Sequence, residues 1–291
     1  MNSKENLEEF FIRQLHTWQL AASNYNDLQS SMIKRVEVDG AMIDVMLNPS
    51  RIKSTTANVS PDAVRRRECF LCADNRPAEQ MAYPGFDDPD FEFLVNPYPI
   101  CSPHFTIVSR EHRPQDSAPW ASMLRAAELF TSLLLFYNGM NAGASAPDHL
   151  HFQGVKQSEL PLVNIINAME LRENELICSK SLDVKYPAEF HLFYGDAERV
   201  ADLFLSDIRA AEFAASPLVN IFLWNRDGKF VVLIIPRAKH RPACYFADDE
   251  SRMMISPGAL DVAGRVVTVR LSDYERVDGE ILKKIFEETC L

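Results

Sequence analysis

The run His149-Leu150-His151-Phe152-Gln153 alternates nitrogen-bearing and apolar side chains at every second position. That period suits a half-buried strand and no helix. The strand read from it covers residues 148–155. It puts His149, His151 and Gln153 on one face and sends Leu150 and Phe152 into a core on the other. A small-residue loop, Asn138-Gly139-Met140-Asn141-Ala142-Gly143-Ala144-Ser145-Ala146-Pro147, precedes it. Gly143, Ala144 and Ser145 add little bulk, so backbone N–H groups there can approach an anion. An imidazole on such a platform can attack phosphorus and carry a nucleotidyl group, with Gln153 and Ser145 donating to phosphate oxygens. The competing reading is a histidine pair that binds metal or sits satisfied in the core.

Around this segment the periodicities divide the chain. Residues 7–28 read as an amphipathic helix, and 36–47 as a hairpin turning at Asp39-Gly40. A long Pro-, Asp- and Asn-rich loop over 74–103 surrounds one short strand at 91–95, and 105–109 is a further strand. Residues 118–137 read as a single helix, with Trp120, Leu124, Ala127, Phe130, Leu134 and Tyr137 on one stripe. In the second half, a strand at 190–194 and a helix at 197–214 precede a hairpin of 220–224 with 229–235 across Asn225-Arg226-Asp227-Gly228; 265–270 is a last strand. Residues 105–114 and 232–242 echo each other, each an apolar strand running into Arg and then His-Arg-Pro. Two copies of one α+β unit would account for this.

With 291 residues, 47% hydrophobic and 24% charged, the composition excludes disordered and fibrous classes and allows one large domain or two smaller ones. A net charge of −11 argues against nucleic acid or anionic membranes as general partners, while leaving room for a small phosphorylated ligand held by local cations. No apolar run reaches the roughly 20 residues of a membrane span, and Met1–Glu9 carries no secretory pattern. The six cysteines are too sparse for a disulfide scaffold, which favours a reducing cytoplasm.

Cys69-Phe70-Leu71-Cys72 is a knuckle in which two thiolates can face one ion; tetrahedral zinc then needs two more N or S ligands. A redox pair or two buried thiols are the alternatives. His112 could reach the knuckle, His104 lies on the loop side of its strand, and His240 closes the echo strand. His16 and His191 read as structural or surface groups, and Arg65-Arg66-Arg67 as a basic run on a solvated face.

The loop and the H-x-H-x-Q run together resemble the transferase branch of the histidine-triad superfamily, which contains galactose-1-phosphate uridylyltransferases, diadenosine tetraphosphate phosphorylases and GDP-hexose phosphorylases. Ordinary histidine-triad hydrolases carry a third His where Gln153 stands. The resemblance implies an α+β, histidine-triad-like fold of two related halves, each with an antiparallel sheet and packed helices. Residues 1–160 would be the catalytic half and 161–291 a degenerate one within a single compact unit; Ile255–Ala259 faintly resembles the C-terminal part of the dinucleotide phosphorylases. It implies His151 as nucleophile with Gln153 and Ser145 beside it, and Asn138, Gly143, Ala144, Arg76 and Lys239, together with Arg110 and Asn48, as substrate contacts. Cys69, Cys72, His112 and His149 would hold a structural zinc. The implied activity is ping-pong nucleotidyl transfer from a nucleoside polyphosphate or nucleotide-sugar to phosphate or a sugar phosphate. Dimers are common in the family. Hydrolysis by the same site, or a zinc-stabilised protein that only binds nucleotide, are the rival readings.

Overall fold

The computed structural model describes residues 6–210 and 218–291, the side chains of 206–210 excepted. The N-terminal region expected to be one helix is two, α1 (Leu7–Thr17) and α2 (Gln19–Gln29). A capping box between Asn6 and Glu9 starts α1. Trp18 breaks the run with an extended backbone (φ −128°, ψ 95°) and buries its ring. The hairpin β1 (Met32–Val38) and β2 (Ala41–Leu47) turns at Asp39-Gly40, both at positive φ. Short helices α3 (Ile52–Thr55) and α4 (Pro61–Arg66) follow.

One eight-stranded antiparallel sheet organises the rest. The first half supplies β3 (Phe91–Val95), β4 (His104–Ser109), β5 (Leu133–Asn138) and β6 (His151–Lys156), with α5 (Trp120–Leu129) between β4 and β5. After α6 (Pro161–Asn167) the second half supplies β7 (Ile177–Cys178), β8 (His191–Gly195), α7 (Ala197–Ala210), β9 (Val219–Arg226) and β10 (Lys229–Pro236). The strand order is β3-β4-β6-β5-β9-β10-β8-β7. From either edge to the centre each half therefore runs first, second, fourth, third, and the halves meet where β5 pairs with β9. In this arrangement β10 corresponds to β6. The sequence echo had matched it with β4, so the echo does not align the repeat.

Two sequence expectations change here. The helix at 118–137 stops at Leu129, and residues 133–138 are a central strand. All six residues of β5 are buried, Leu134 and Phe136 in the core on one face and Leu133, Leu135 and Tyr137 in the core on the other. A strand covered on both faces is apolar throughout, so its pattern does not distinguish it from a buried helix. The strand expected from Asp148 begins at His151, and His149 lies in the turn before it. Residues 211–214 of the expected second-half helix lie outside the described residues.

Helices α1, α2, α5 and α7 cover one face of the sheet. The other packs on α6 and on the C-terminal elements α8 (Ala243–Phe246), α9 (Ala259–Val262), β11 (Arg265–Thr268), α10 (Leu271–Arg276) and α11 (Gly279–Thr289). β11 joins the β1–β2 hairpin in parallel with β2, so the division at 160/161 separates the two strand sets of the large sheet but not the small one.

Candidate active site

The halves differ in one connection. Between β9 and β10 the chain turns through Asp227-Gly228, both at positive φ, as a tight hairpin. Between β5 and β6 the equivalent connection is residues 139–150, the small-residue loop. That enlarged hairpin opens a cavity of about 480 Å³ on the sheet face that carries His151 and Gln153.

His151 is 4% exposed and lines this cavity. Its Nδ1 lies 2.8 Å from the carbonyl of His149; a carbonyl only accepts, so Nδ1 holds the proton and Nε2 is left with its lone pair. Burial pushes its pKa down to about 4, against the His149 carbonyl that raises it, so the ring is neutral at pH 7. Its backbone is held by Gln115, which is fully buried. The Gln115 amide donates to the carbonyls of His151 (2.8 Å) and Asn138 (2.9 Å) and accepts from His151 N–H (3.0 Å). Gln115 thus fills the place of a ladder bond where β5 and β6 part.

Gln153 faces the same cavity from β6. Its Oε1 accepts from His104 Nε2 (2.8 Å) and Asn96 Nδ2 (3.2 Å). The loop supplies Ser145 and the backbone of 143–146, whose N–H groups donate to nothing among the described residues. Gly143 sits at φ +101°, and a Cβ there would stand 2.5 Å from Gly258 Cα, so this position needs glycine for packing as well as for an anion's approach. Asn138 lines the cavity but commits its Oδ1 to Asn220 Nδ2 (3.0 Å) and Ala259 N–H (2.8 Å).

The cavity wall is basic in an acidic chain. Arg51, Lys53 and Arg241 line it, against one carboxylate, Asp261. Asp261 accepts from the N–H groups of Gly258 and Val267, and burial lifts its pKa to about 6. Arg241 donates to the carbonyls of Thr55 and Ala57, sewing α3 to the second half beside His240. Lys53 is exposed, and neither it nor His240 has a hydrogen-bond partner among the described residues.

Cys69, Cys72, His112 and His149 bring their ligand atoms within 4.8 Å of one another. His149 Nδ1 lies 3.2 Å from Cys69 Sγ and 3.6 Å from Cys72 Sγ, and Cys72 Sγ lies 3.3 Å from His112 Nδ1. Around a tetrahedral ion with bonds of about 2.0–2.3 Å, neighbouring ligand atoms stand about 3.3–3.8 Å apart. His149 Nε2 donates to the carbonyl of Ser109 (2.8 Å), which leaves Nδ1 bare toward the thiols. The donor set and its spacing fit an ion. His149 and His151, read from sequence as one face, therefore serve two different places, and only His151 meets the cavity.

Other expected contacts stand elsewhere. Arg76 pairs with Glu92 and Lys239 with Glu288, neither lining the cavity; Arg110 also pairs with Glu92, and Asn48 is buried against Pro99 and Ser50. The resemblance implies these cations as substrate contacts, and in the fold each has a carboxylate partner. Sequence reasoning missed Gln115, Asn96, Arg51, Lys53 and Arg241 and left His104 unassigned, because no local pattern marks a residue that arrives from another element. A second cluster, Cys178, Glu189 and His191, lies across β7 and β8, where Lys180 already occupies the Glu189 carboxylate.

A sequence family described as a domain of unknown function (DUF4922) matches residues 10–156, half of the chain. The chain belongs to this family. No curated protein matches the sequence. Among solved structures, yeast Ap4A phosphorylase Apa2 superposes with a TM-score of 0.65 at 15% identity, over 94% of this chain and 96% of that one. The same yeast enzyme in complex with Ap4A gives 0.64 at 16% identity over 97% of both chains, and in complex with AMP 0.61 at 16% over 94% and 97%. The likeness runs through both halves and gives the fold: α+β, in the architecture of that yeast structure. Among the described residues no helix is long and apolar enough to cross a membrane.

Proposed function

We propose that the protein is a nucleotidyltransferase of the phosphorylase type, acting on a nucleoside polyphosphate or nucleotide-sugar through a nucleotidyl-His151 intermediate. The observation that carries this is His151 lining a basic cavity, with Nδ1 committed to a carbonyl and Nε2 unprotonated, beside amides that have no partner among the described residues. Nε2 attacks the α-phosphorus, and the bond to the bridging oxygen breaks with its electron pair leaving on the distal phosphate. No base is needed, because the ring is already neutral. The positive charge gained by the ring is met by the His149 carbonyl on Nδ1. Gln153, Ser145 and the amides of 143–146 donate to the non-bridging oxygens, where charge builds. In the second half-reaction an oxygen of phosphate or a sugar phosphate attacks, and the N–P electron pair returns to Nε2.

Lys53, Arg51 and Arg241 are the groups offered to the distal phosphates, in place of Arg76 and Lys239. Cys69, Cys72, His112 and His149 would hold a structural zinc, which fixes the turn before His151 and leaves the chemistry to the imidazole. The fold likeness to an Ap4A phosphorylase along the whole chain favours dinucleoside polyphosphates as the first substrates to try. We further propose a cytoplasmic site of action.

The test is intact-mass measurement after incubation with diadenosine tetraphosphate and with UDP-, GDP- and ADP-sugars, without acceptor, followed by product analysis with and without phosphate. A nucleotidyl mass increment that His151→Ala abolishes, with phosphate in the product, supports the proposal. Turnover by His151→Ala rules out the covalent route. Nucleotide released equally without phosphate makes the protein a hydrolase, and bound nucleotide without adduct makes it a binding protein.

A further inference from the structure

Gln153 has two chemically opposite ends, and only its NH2 can stabilise a phosphate oxygen. Which end meets the cavity is decided outside β6. The backbone N–H of Ile100 donates to His104 Nδ1 (3.2 Å), so a neutral His104 must carry its proton on Nε2. That proton points at Gln153, 2.8 Å away, and an N–H can only be met by the amide oxygen. Asn96 repeats the logic. The N–H of Tyr98 takes Asn96 Oδ1 (2.9 Å), which turns Asn96 Nδ2 toward the same Gln153 oxygen (3.2 Å). Burial pushes the pKa of His104 down to about 3, with the nearby Arg51 acting in the same direction, so the ring stays neutral. The His104 backbone is clamped in turn, its carbonyl accepting from Tyr25 Oη (2.9 Å) and its N–H donating to the same oxygen (3.1 Å).

We infer that His104 is a positioning residue: its Nε2–H, with Asn96 beside it, holds the Gln153 amide so that the NH2 group faces the cavity and the carbonyl does not. The inference rests on the reading of His151 as the nucleophile only for its kinetic consequence. The arrangement excludes a flipped Gln153, which would set a carbonyl oxygen against phosphate. In the β4–β6 register Gln153 lies opposite Thr106 and His104 opposite Val155, so the His104 ring reaches Gln153 diagonally across the two strands.

The experiment uses the full chain with diadenosine tetraphosphate as probe and the rate of His151 labelling as readout, for His104→Leu, His104→Gln, Gln153→Leu and the double variant. His104→Leu is expected to slow labelling about tenfold to a hundredfold with little change in half-saturating concentration. His104→Gln, which can still accept from Ile100 and donate to Gln153, is expected to recover most of the rate. In the Gln153→Leu background, removing His104 is expected to cost less than about twofold, because its target is gone. Equal slowing in both backgrounds, or no rescue by Gln, overturns the inference. The free protein gives a second reading that needs no activity. Selective 15N labelling of histidine is expected to show His104 with Nε2 protonated and Nδ1 bare, its Nε2–H shifting in Gln153→Leu; the opposite tautomer overturns the inference. If the wild-type chain is not labelled, the proposed function fails while the tautomer still decides this one.

Discussion

Gln115 shows how a single side chain can take over the work of a strand. It bonds both the N–H and the carbonyl of His151 as well as the carbonyl of Asn138, all buried. Gln115→Leu leaves these groups unpaired at about 1–3 kcal/mol each, so an unfolding free energy lower by about 2 kcal/mol or more in urea denaturation is expected, with slower labelling of His151. Gln115→Glu sets a carboxyl oxygen against the buried carbonyls of His151 and Asn138, and is expected to cost at least as much as Gln115→Leu. Buried imidazoles also set a pH dependence. His104 and His240 are pushed down to about 3 and 4, chiefly by burial, from an unfolded value near 6.5. Below pH 6.5 the unfolded chain binds protons that the folded one refuses, so stability is fully present above that pH and is lost as pH falls toward the folded values. Each histidine contributes at most about 1.4 kcal/mol per pH unit. Asp261, raised to about 6, acts oppositely below that pH and offsets part of the loss. Urea midpoints measured from pH 7.5 down to 5 should therefore decline, and a flat profile would contradict neutral buried histidines.

At the scale of elements, the loop between β5 and β6 separates the two halves chemically, and its Gly143 is not equivalent to Gly258, which meets it from the residue before α9. Gly143 combines φ +101° with a backbone 2.5 Å from an added Cβ, whereas a Cβ on Gly258 meets nothing nearer than Asn138 Oδ1 at 3.2 Å. Gly143→Ala is expected to cost about 2 kcal/mol or more and Gly258→Ala under about 1, measured by thermal or urea unfolding. The knuckle makes a separate prediction. Cys69→Ser, or a strong chelator, is expected to lower metal content and melting temperature together, while His151→Ala keeps about one zinc per chain. Loss of metal in His151→Ala would mean that this ring is a ligand and not free.

For the whole molecule, the decisive feature is a basic cavity in a chain of net charge −11, built where both halves meet. Lys53→Ala is expected to raise the half-saturating concentration of diadenosine tetraphosphate about tenfold, more at low than at high salt, because a cation with no carboxylate partner among the described residues would face several phosphate charges. Arg241→Ala is expected to do more, since that side chain also holds α3 through the carbonyls of Thr55 and Ala57. By contrast Lys239→Ala, whose ammonium pairs with Glu288, should leave saturation unchanged.

Taken alone, the sequence carried the local signals. Period-two alternation marked His151, Gln153, Leu150 and Phe152, the Asp-Gly turns marked two hairpins, and C-x-x-C marked the knuckle; each depends on neighbours along the chain. It misjudged β5, whose burial on both faces erases the alternation that identifies a strand. It also put His149 and His151 on one face, because nothing local shows that pairing begins only at His151. Tertiary structure alone decided the rest: that the halves join through β5 and β9, that Arg76 and Lys239 are spent on carboxylates, and that Gln115, His104, Lys53 and Arg241 converge from distant segments. Periodicity reports which face a residue occupies within its own element, whereas a site is the meeting of several elements whose approach is set by packing.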